Sequence, residues 1–200
     1  LAVVPLSADP ALLAQFGGGV SVLQHGTDHA NRAAPGEKKT EFSASEPLQA
    51  ALARLVAARA RLESQAADRF VPVLAPPCNR LPKHLVPDLA GAGFRGLSQF
   101  GARSSAEPSP GLRQVNTHVD IIAWKGSRGF VGEAEALAAA TRHLAARRQG
   151  DADAYEPTGW LTHHALHDAP AWEFLSRLFE TTRALPGVAW LQAEDLFRVS

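Results

Sequence analysis

Short runs of aliphatic and β-branched residues alternate along the chain with longer stretches whose apolar positions recur every three to four residues. The first pattern predicts strands and the second amphipathic helices. Strands are expected at 1–6, 20–24, 69–74, 94–100, 115–124, 159–164 and 188–191. Asp9-Pro10 reads as a helix start, with Asp9 as N-cap and the proline in the first turn, and Gly17 to Gly19 as its stop. A long helix opens at Ser43 or Ser45 and reaches about residue 67, with Leu48, Leu52, Leu55, Val56, Arg59 and Leu62 near helical spacing. Further helices are expected at 82–92, at 133–149 with Arg147 and Arg148 at the end that suits cations, and after Asp168, where Trp172, Leu175, Leu178 and Phe179 form the apolar face. A last segment, 194–197, follows the final strand.

Strands alternating with helices predict an α/β fold with a mostly parallel sheet, open or closed as a barrel. Two loops interrupt the alternation, at 26–43 and 101–113, and loops of that length are often functional. No repeat or low-complexity segment divides the chain, so a single domain over 1–200 is expected.

Composition narrows the function classes. Twenty basic and twenty acidic residues cancel, so no charge excess asks for nucleic acid or an anionic membrane. Cys78 is the one cysteine, which leaves no intrachain disulfide and fits a cytoplasmic location. No apolar run is long enough to span a bilayer, and no basic n-region marks a signal peptide. The chain opens Leu-Ala-Val-Val-Pro and has no methionine, from which an N-terminally incomplete domain is expected.

In parallel α/β folds the chemistry sits at the C-terminal ends of strands. Five of the eight histidines fall in such segments: His25, His29, His118, His163 and His164. His25 and His29 are spaced i, i+4, which on a helical turn sets two imidazoles on one face, able to share a late first-row cation. A polar loop with two solvated histidines has the same spacing. Asp120, near a histidine, would raise its pKa and fix its tautomer, as a general acid requires; capping a loop is its plainer role, and core packing is the plainer role for Trp124. Strand alternation sends Leu161 and His163 to one side and Thr162 and His164 to the other, so one imidazole faces the site and the other the layer behind. Cys78 reads as an apolar filler, and His84, His143 and His167 as surface or cap residues.

Four segments, in order, resemble the polysaccharide deacetylase superfamily, carbohydrate esterase family four in the broad sense. His25-Gly-Thr-Asp-His29 resembles its His-x-x-x-His motif and Ala75-Pro-Pro-Cys-Asn-Arg80 its Pro-containing strand-end motif. Asp120-Ile-Ile-Ala-Trp124 resembles Asp-x-x-x-Trp, and Leu161-Thr-His163 resembles Leu-x-His. The wording of the four is most similar to an uncharacterised bacterial branch. The resemblance implies an incomplete (β/α) barrel of about seven strands with a divalent metal, zinc first among candidates, in its mouth. It implies removal of an acetyl group from an N-acetylated sugar or related small substrate. His25 and His29 would hold the metal, His163 would protonate the leaving amine with Asp120 orienting it, and Trp124, Leu161, Pro77, Asn79 and Arg80 would line the substrate pocket.

Two departures qualify it. The family carries an Asp-Asp pair on its first strand, and nothing before His25 supplies one; by order, residues 1–6 match the second strand, so the first is expected upstream of Leu1. Ala75 stands where an arginine is common, with Arg80 as its candidate substitute. The competing expectations are a carbohydrate-binding or scaffold barrel that does not turn over, and a different metal hydrolase using Asp28 or Asp120 as third ligand, since catalytic zinc usually has three protein ligands. The residues leave the oligomeric state open.

Overall fold

The computed structural model describes residues 1–17 and 19–198. In chain order its elements are β1 (Ala2–Val3), α1 (Pro10–Leu13), β2 (Val22–Gln24), α2 (Leu48–Ala66), β3 (Phe70–Leu74), β4 (Gly96–Leu97), β5 (Arg113–Gln114), β6 (Val119–Asp120), α3 (Glu133–Gln149), β7 (Trp160–Leu161), α4 (Ala169–Arg183) and α5 (Ala193–Leu196). The fold is α/β. The chain divides into two compact units, one made of residues 1–99, 105–115 and those from 192 onward, the other of 100–104 and 116–191. No helix among the described residues is long and apolar enough to cross a membrane.

The first unit is built on a five-stranded parallel sheet in the order β1-β2-β3-β4-β5. Alternation along β3 decides what each face buries. Phe70 and Leu74 point toward the side covered by α2, while Val71 and Val73 meet Val115 and Phe197 on the other. Pro72 stands in the middle of this interior strand and has no N–H to give, and the β2–β3 register shifts there: Val22 pairs with Phe70 and Gln24 with Leu74. Gly96 on β4 leaves room for Phe197; a Cβ there would lie 2.4 Å from its ring.

The buried stripe of α2 is Ala51, Leu55, Ala58, Leu62 and Ala66. The expected stripe through Val56 and Arg59 is therefore rotated: Val56 is exposed, and small alanines interleaved with leucines let the helix lie close to the sheet. Around Leu55 gather Phe42, Leu74, Leu85, Leu89, Phe94, Leu97 and Leu112. The helix expected at 82–92 is instead a 3-10 turn over Lys83–Asp88 with Pro87 inside it, because a proline there cannot donate to an α-helical ladder.

The second unit carries a two-stranded parallel sheet, Val119 opposite Trp160 and Asp120 opposite Leu161. Its core joins Val119, Ile121 and Ile122 to Ala136 of α3 and Phe174, Leu175 and Leu178 of α4. Asp168 caps α4 as expected, with Oδ1 accepting from Ala171 N at 3.0 Å, while Oδ2 accepts from Phe130 N at 3.1 Å. The buried face of α4 is Ala171, Phe174, Leu175 and Leu178. Trp172 and Phe179, expected on that face, are exposed; Trp172 meets His167 edge-on and Phe179 meets Trp190. No strand forms at 188–191, where Trp190 Nε1 donates to Thr182 Oγ1 of α4. The strand expected over 115–124 is reduced to β6, and β5 lies ahead of it, at the end of the stretch expected as a loop.

Replacing the fully buried Leu55 by alanine should lower stability by about 2–5 kcal/mol, whereas Val56→Ala one residue on should stay within about 0.5 kcal/mol. Urea unfolding followed by far-UV circular dichroism compares the two; equal losses would refute the rotated stripe.

Candidate functional site

In the first unit, β2 ends at Gln24, whose buried amide Nε2 donates to Gly26 O at 2.9 Å and to Leu55 O of α2 at 3.2 Å. His25 N continues the ladder to Val3 O, and His25 Nδ1 lies 2.8 Å from Ala75 O at the end of β3. A carbonyl only accepts, so Nδ1 carries the hydrogen and the lone pair is on Nε2. The His25 and His29 ring centroids are 5.2 Å apart, tilted by 50°. The structure thus brings the two predicted imidazoles together, though not on a helical turn. Residues 25–29 form a loop, with His29 in the left-handed region at φ 59°.

That loop is curled around Glu41, which is 1% exposed. Its Oε1 accepts from Thr27 N at 2.7 Å and from Thr27 Oγ1, and Oε2 accepts from His29 N at 3.0 Å. A glutamate in a polar stretch reads as solvated, and the sequence holds no signal that this one is enclosed. Asp28 forms a two-nitrogen pair with Arg32 at 2.8 and 2.7 Å. The Arg32 guanidinium holds its carboxyl well below the usual carboxylate range, and its oxygens are committed there rather than to the His25–His29 pair. Among the described residues Asp28 forms no close set of three ligand atoms with His25 and His29.

The 75–80 segment sits beside the same loop. Pro77 is buried against Gly26, where a Cβ would come within 2.6 Å of the proline ring. Cys78 and Asn79 both adopt left-handed backbone, at φ 57° and 54°. Arg80 Nη1 donates to Lys39 O, so its guanidinium fastens the 26–43 loop.

In the second unit, Asp120, Trp124 and His163 come together. Asp120 Oδ2 accepts from Trp124 Nε1 at 2.7 Å and faces His163 Nε2 at 3.4 Å, an ion-pair distance, while Oδ1 accepts from Ile122 N at 3.0 Å. Burial pushes the Asp120 carboxyl up, but His163 and the two N–H donors outweigh it and hold it below its ordinary value. Trp124 meets His163 edge-on at 4.8 Å and is 46% exposed, so it is not the core residue its chemistry alone suggested. Leu161 lies directly across the ladder from Asp120. His163 reaches Asp120 through a left-handed residue, φ 49°, just after β7 ends, and not by strand alternation. His164 is correspondingly exposed rather than packed against a rear layer.

The buried structural histidines are others: His118 and His143, the latter expected at the surface. Their rings stack at 3.4 Å and 16° beside Glu156, which is 0% exposed. Gly159 N donates to His118 Nδ1 at 3.1 Å, so the hydrogen of neutral His118 is on Nε2, which faces Glu156 Oε2 at 3.3 Å. Glu156 also accepts from Arg103 N at 2.9 Å and Asn116 N at 3.0 Å; burial raises its pKa, and these donors with His118 bring it below the ordinary value. Among the described residues this is the one set of three His, Cys, Asp or Glu ligand atoms all within 4.8 Å of one another. It does not suit a metal. A ring nitrogen coordinates in the plane of its ring, and two rings stacked nearly parallel cannot both aim at one ion; His118 has, besides, a donor on one nitrogen and a hydrogen on the other. A cavity of about 430 Å³ adjoins the cluster, lined by Phe100, His118, Asp120, Val131, Ala139 and His143 among others.

Burial, then the neighbouring His118, lowers the His143 pKa from 6.5 to about 4. A histidine depressed in the fold binds its proton first in the unfolded chain, so its contribution is complete above pH 6.5 and is lost as pH falls toward about 4. Asp120 and Glu156, also depressed, add their loss at lower pH, below the ordinary carboxylate range. Trp124, Trp160, Trp172 and Trp190 all lie in this unit, so tryptophan fluorescence follows its unfolding separately. Urea midpoints should decline between pH 6.5 and 4.5 in the wild type and less steeply in His143→Gln; identical slopes would refute the assignment. Comparison of the chain with family models, curated proteins and solved structures gives no match.

Proposed function

We propose that the protein is a metal-dependent hydrolase that removes an acetyl group from an N-acetylated sugar or related small substrate, on a fold of the incomplete (β/α)-barrel kind. The polysaccharide deacetylase-like motifs motivate the reading. The observation that carries it is the placement of the two rings: His25 Nδ1 meets Ala75 O at 2.8 Å, and a second imidazole stands 5.2 Å from the first. Metal-bound histidines characteristically donate their other ring N–H to a carbonyl or carboxylate, which fixes the tautomer that binds. The donor set, two imidazoles, suits zinc or a neighbouring divalent ion. The consecutive, unreversed order of the five parallel strands supports the barrel kind over a doubly wound sheet.

A divalent cation bound there would polarise an acetyl carbonyl and acidify water. The protein's own contribution is proton control. Asp120, fixed by Trp124 Nε1 and Ile122 N, faces His163 Nε2 and orients the ring. With Nε2 turned to the carboxylate, Nδ1 is the nitrogen that hands a proton to the leaving amine as the acyl C–N bond breaks. Asp120 keeps its negative charge throughout, and the proton His163 loses is restored from solvent.

A second reading, a carbohydrate-binding barrel without turnover, draws support from one observation. Among the described residues no third His, Cys, Asp or Glu forms a set of three with His25 and His29. Metal content and turnover together separate the two. Elemental analysis should find zinc, cobalt or nickel in the wild type and little in the His25→Ala, His29→Ala double variant; equal metal in both would remove the ligand assignment. With a chromogenic acetylated sugar, His163→Ala should lower kcat by about 10²- to 10⁴-fold. An unchanged kcat refutes the acid role, and a wild type that binds such sugars without releasing acetate favours the second reading.

A further inference from the structure

We propose that Glu41 is a positioning residue for the His25–His29 pair, setting the loop geometry from which the two imidazoles face each other. The inference rests on the reading of that pair as metal ligands. Glu41 is 1% exposed, and a carboxylate taken that far from water persists only when donors replace its hydration. Those donors come from the loop between the two histidines: Thr27 N and Oγ1 on one oxygen, His29 N on the other. Both oxygens are thus spent on the stretch of backbone that carries His29 back toward His25.

Two further features show that carboxylate and loop are fitted to each other. Gly26, at φ 64°, leaves room for Glu41; a Cβ on it would lie 2.2 Å from Oε2, so only glycine admits the carboxylate. His29 sits at φ 59°, a conformation a β-carbon disfavours by about 1–2 kcal/mol, and it is held because its own N–H is bound to Glu41. His25 is oriented independently, by Ala75 O. One ring is therefore fixed from β3 and the other from Glu41, some twelve residues downstream in the loop before α2. The oxygens of Glu41 are turned to N–H and O–H groups, so its role is to hold the loop and not to join the ligand set. A pair oriented in advance binds an ion without first ordering the loop, which is where the affinity gain arises.

Glu41→Gln tests this closely. The side chain keeps its length, one oxygen remains an acceptor, and the new NH₂ meets a donor. Zinc alone, titrated against a chelating indicator, should bind the variant about 10- to 100-fold more weakly than the wild type. The NOE between the His25 and His29 ring protons should be lost, while thermal unfolding of the metal-free protein stays cooperative. Equal zinc affinity, or an NOE of unchanged intensity, overturns the positioning role. If neither protein binds zinc, the metal reading fails, and the ring NOE by itself decides whether Glu41 positions the pair. Should the variant not fold, amide exchange in the wild type decides: Thr27 and His29 N–H groups protected beyond their loop neighbours support the proposal, and exchange as fast as those neighbours overturns it.

Discussion

Two buried glutamates organise the loops on which the candidate chemistry depends. A carboxylate at 0% or 1% exposure has lost its water, and the backbone is the nearest source of replacement hydrogens. Glu41 takes them from Thr27 and His29; Glu156 takes them from Arg103, Asn116 and the ring of His118. In each case the donors lie far from the acceptor in sequence and their N–H groups belong to irregular segments, which have no ladder of their own. The carboxylate supplies hydrogen bonding that a strand or helix would otherwise provide. The second example is reinforced by Arg103, whose guanidinium nitrogens meet Asp153 at 2.9 and 2.7 Å with its side chain 1% exposed.

The histidines separate according to what holds their nitrogens. His25 turns Nδ1 to a backbone carbonyl. His163 turns one nitrogen to a carboxylate that two N–H donors have already oriented. His118 receives a backbone N–H on one nitrogen and faces Glu156 with the other, and it lies flat against His143. A cluster of three potential ligands at close range is thus the least suited to an ion, because coordination depends on the direction of lone pairs and not on proximity. The third arrangement consumes His118 in holding the second unit together.

Backbone strain follows the same division. His29, Cys78, Asn79 and His163 all have positive φ, and all fall in motifs singled out by residue type. Left-handed backbone at non-glycine residues persists where surrounding contacts over-determine it. Here those contacts can be named for His29, through Glu41, and for His163, through its contact with Asp120. At Asn79 the turn is closed by its own N–H on Pro76 O.

Local chemistry determined the elements and the grouping of site residues. Asp9 and Asp168 were legible as caps because a carboxylate before a proline-containing first turn has one favourable use, and α3 was legible from its alanines and terminal arginines. The pairing of His25 with His29 was offered by their spacing at a strand end, and that of Asp120 with His163 only by the resemblance to the polysaccharide deacetylases. Tertiary structure decided everything that depended on which neighbour came closest. It rotated the buried stripe of α2 away from Val56 and put Trp172 and Phe179 of α4 outside, since helical periodicity gives a face but not its partner. It ended β7 at Leu161 and delivered His163 by a turn, where alternation had assumed a longer strand. It enclosed Glu41, Glu156 and His143, residues whose polarity reads as solvated until donors from distant segments arrive. A sequence records what a side chain can offer; only the folded chain determines whether water or another part of the protein accepts it.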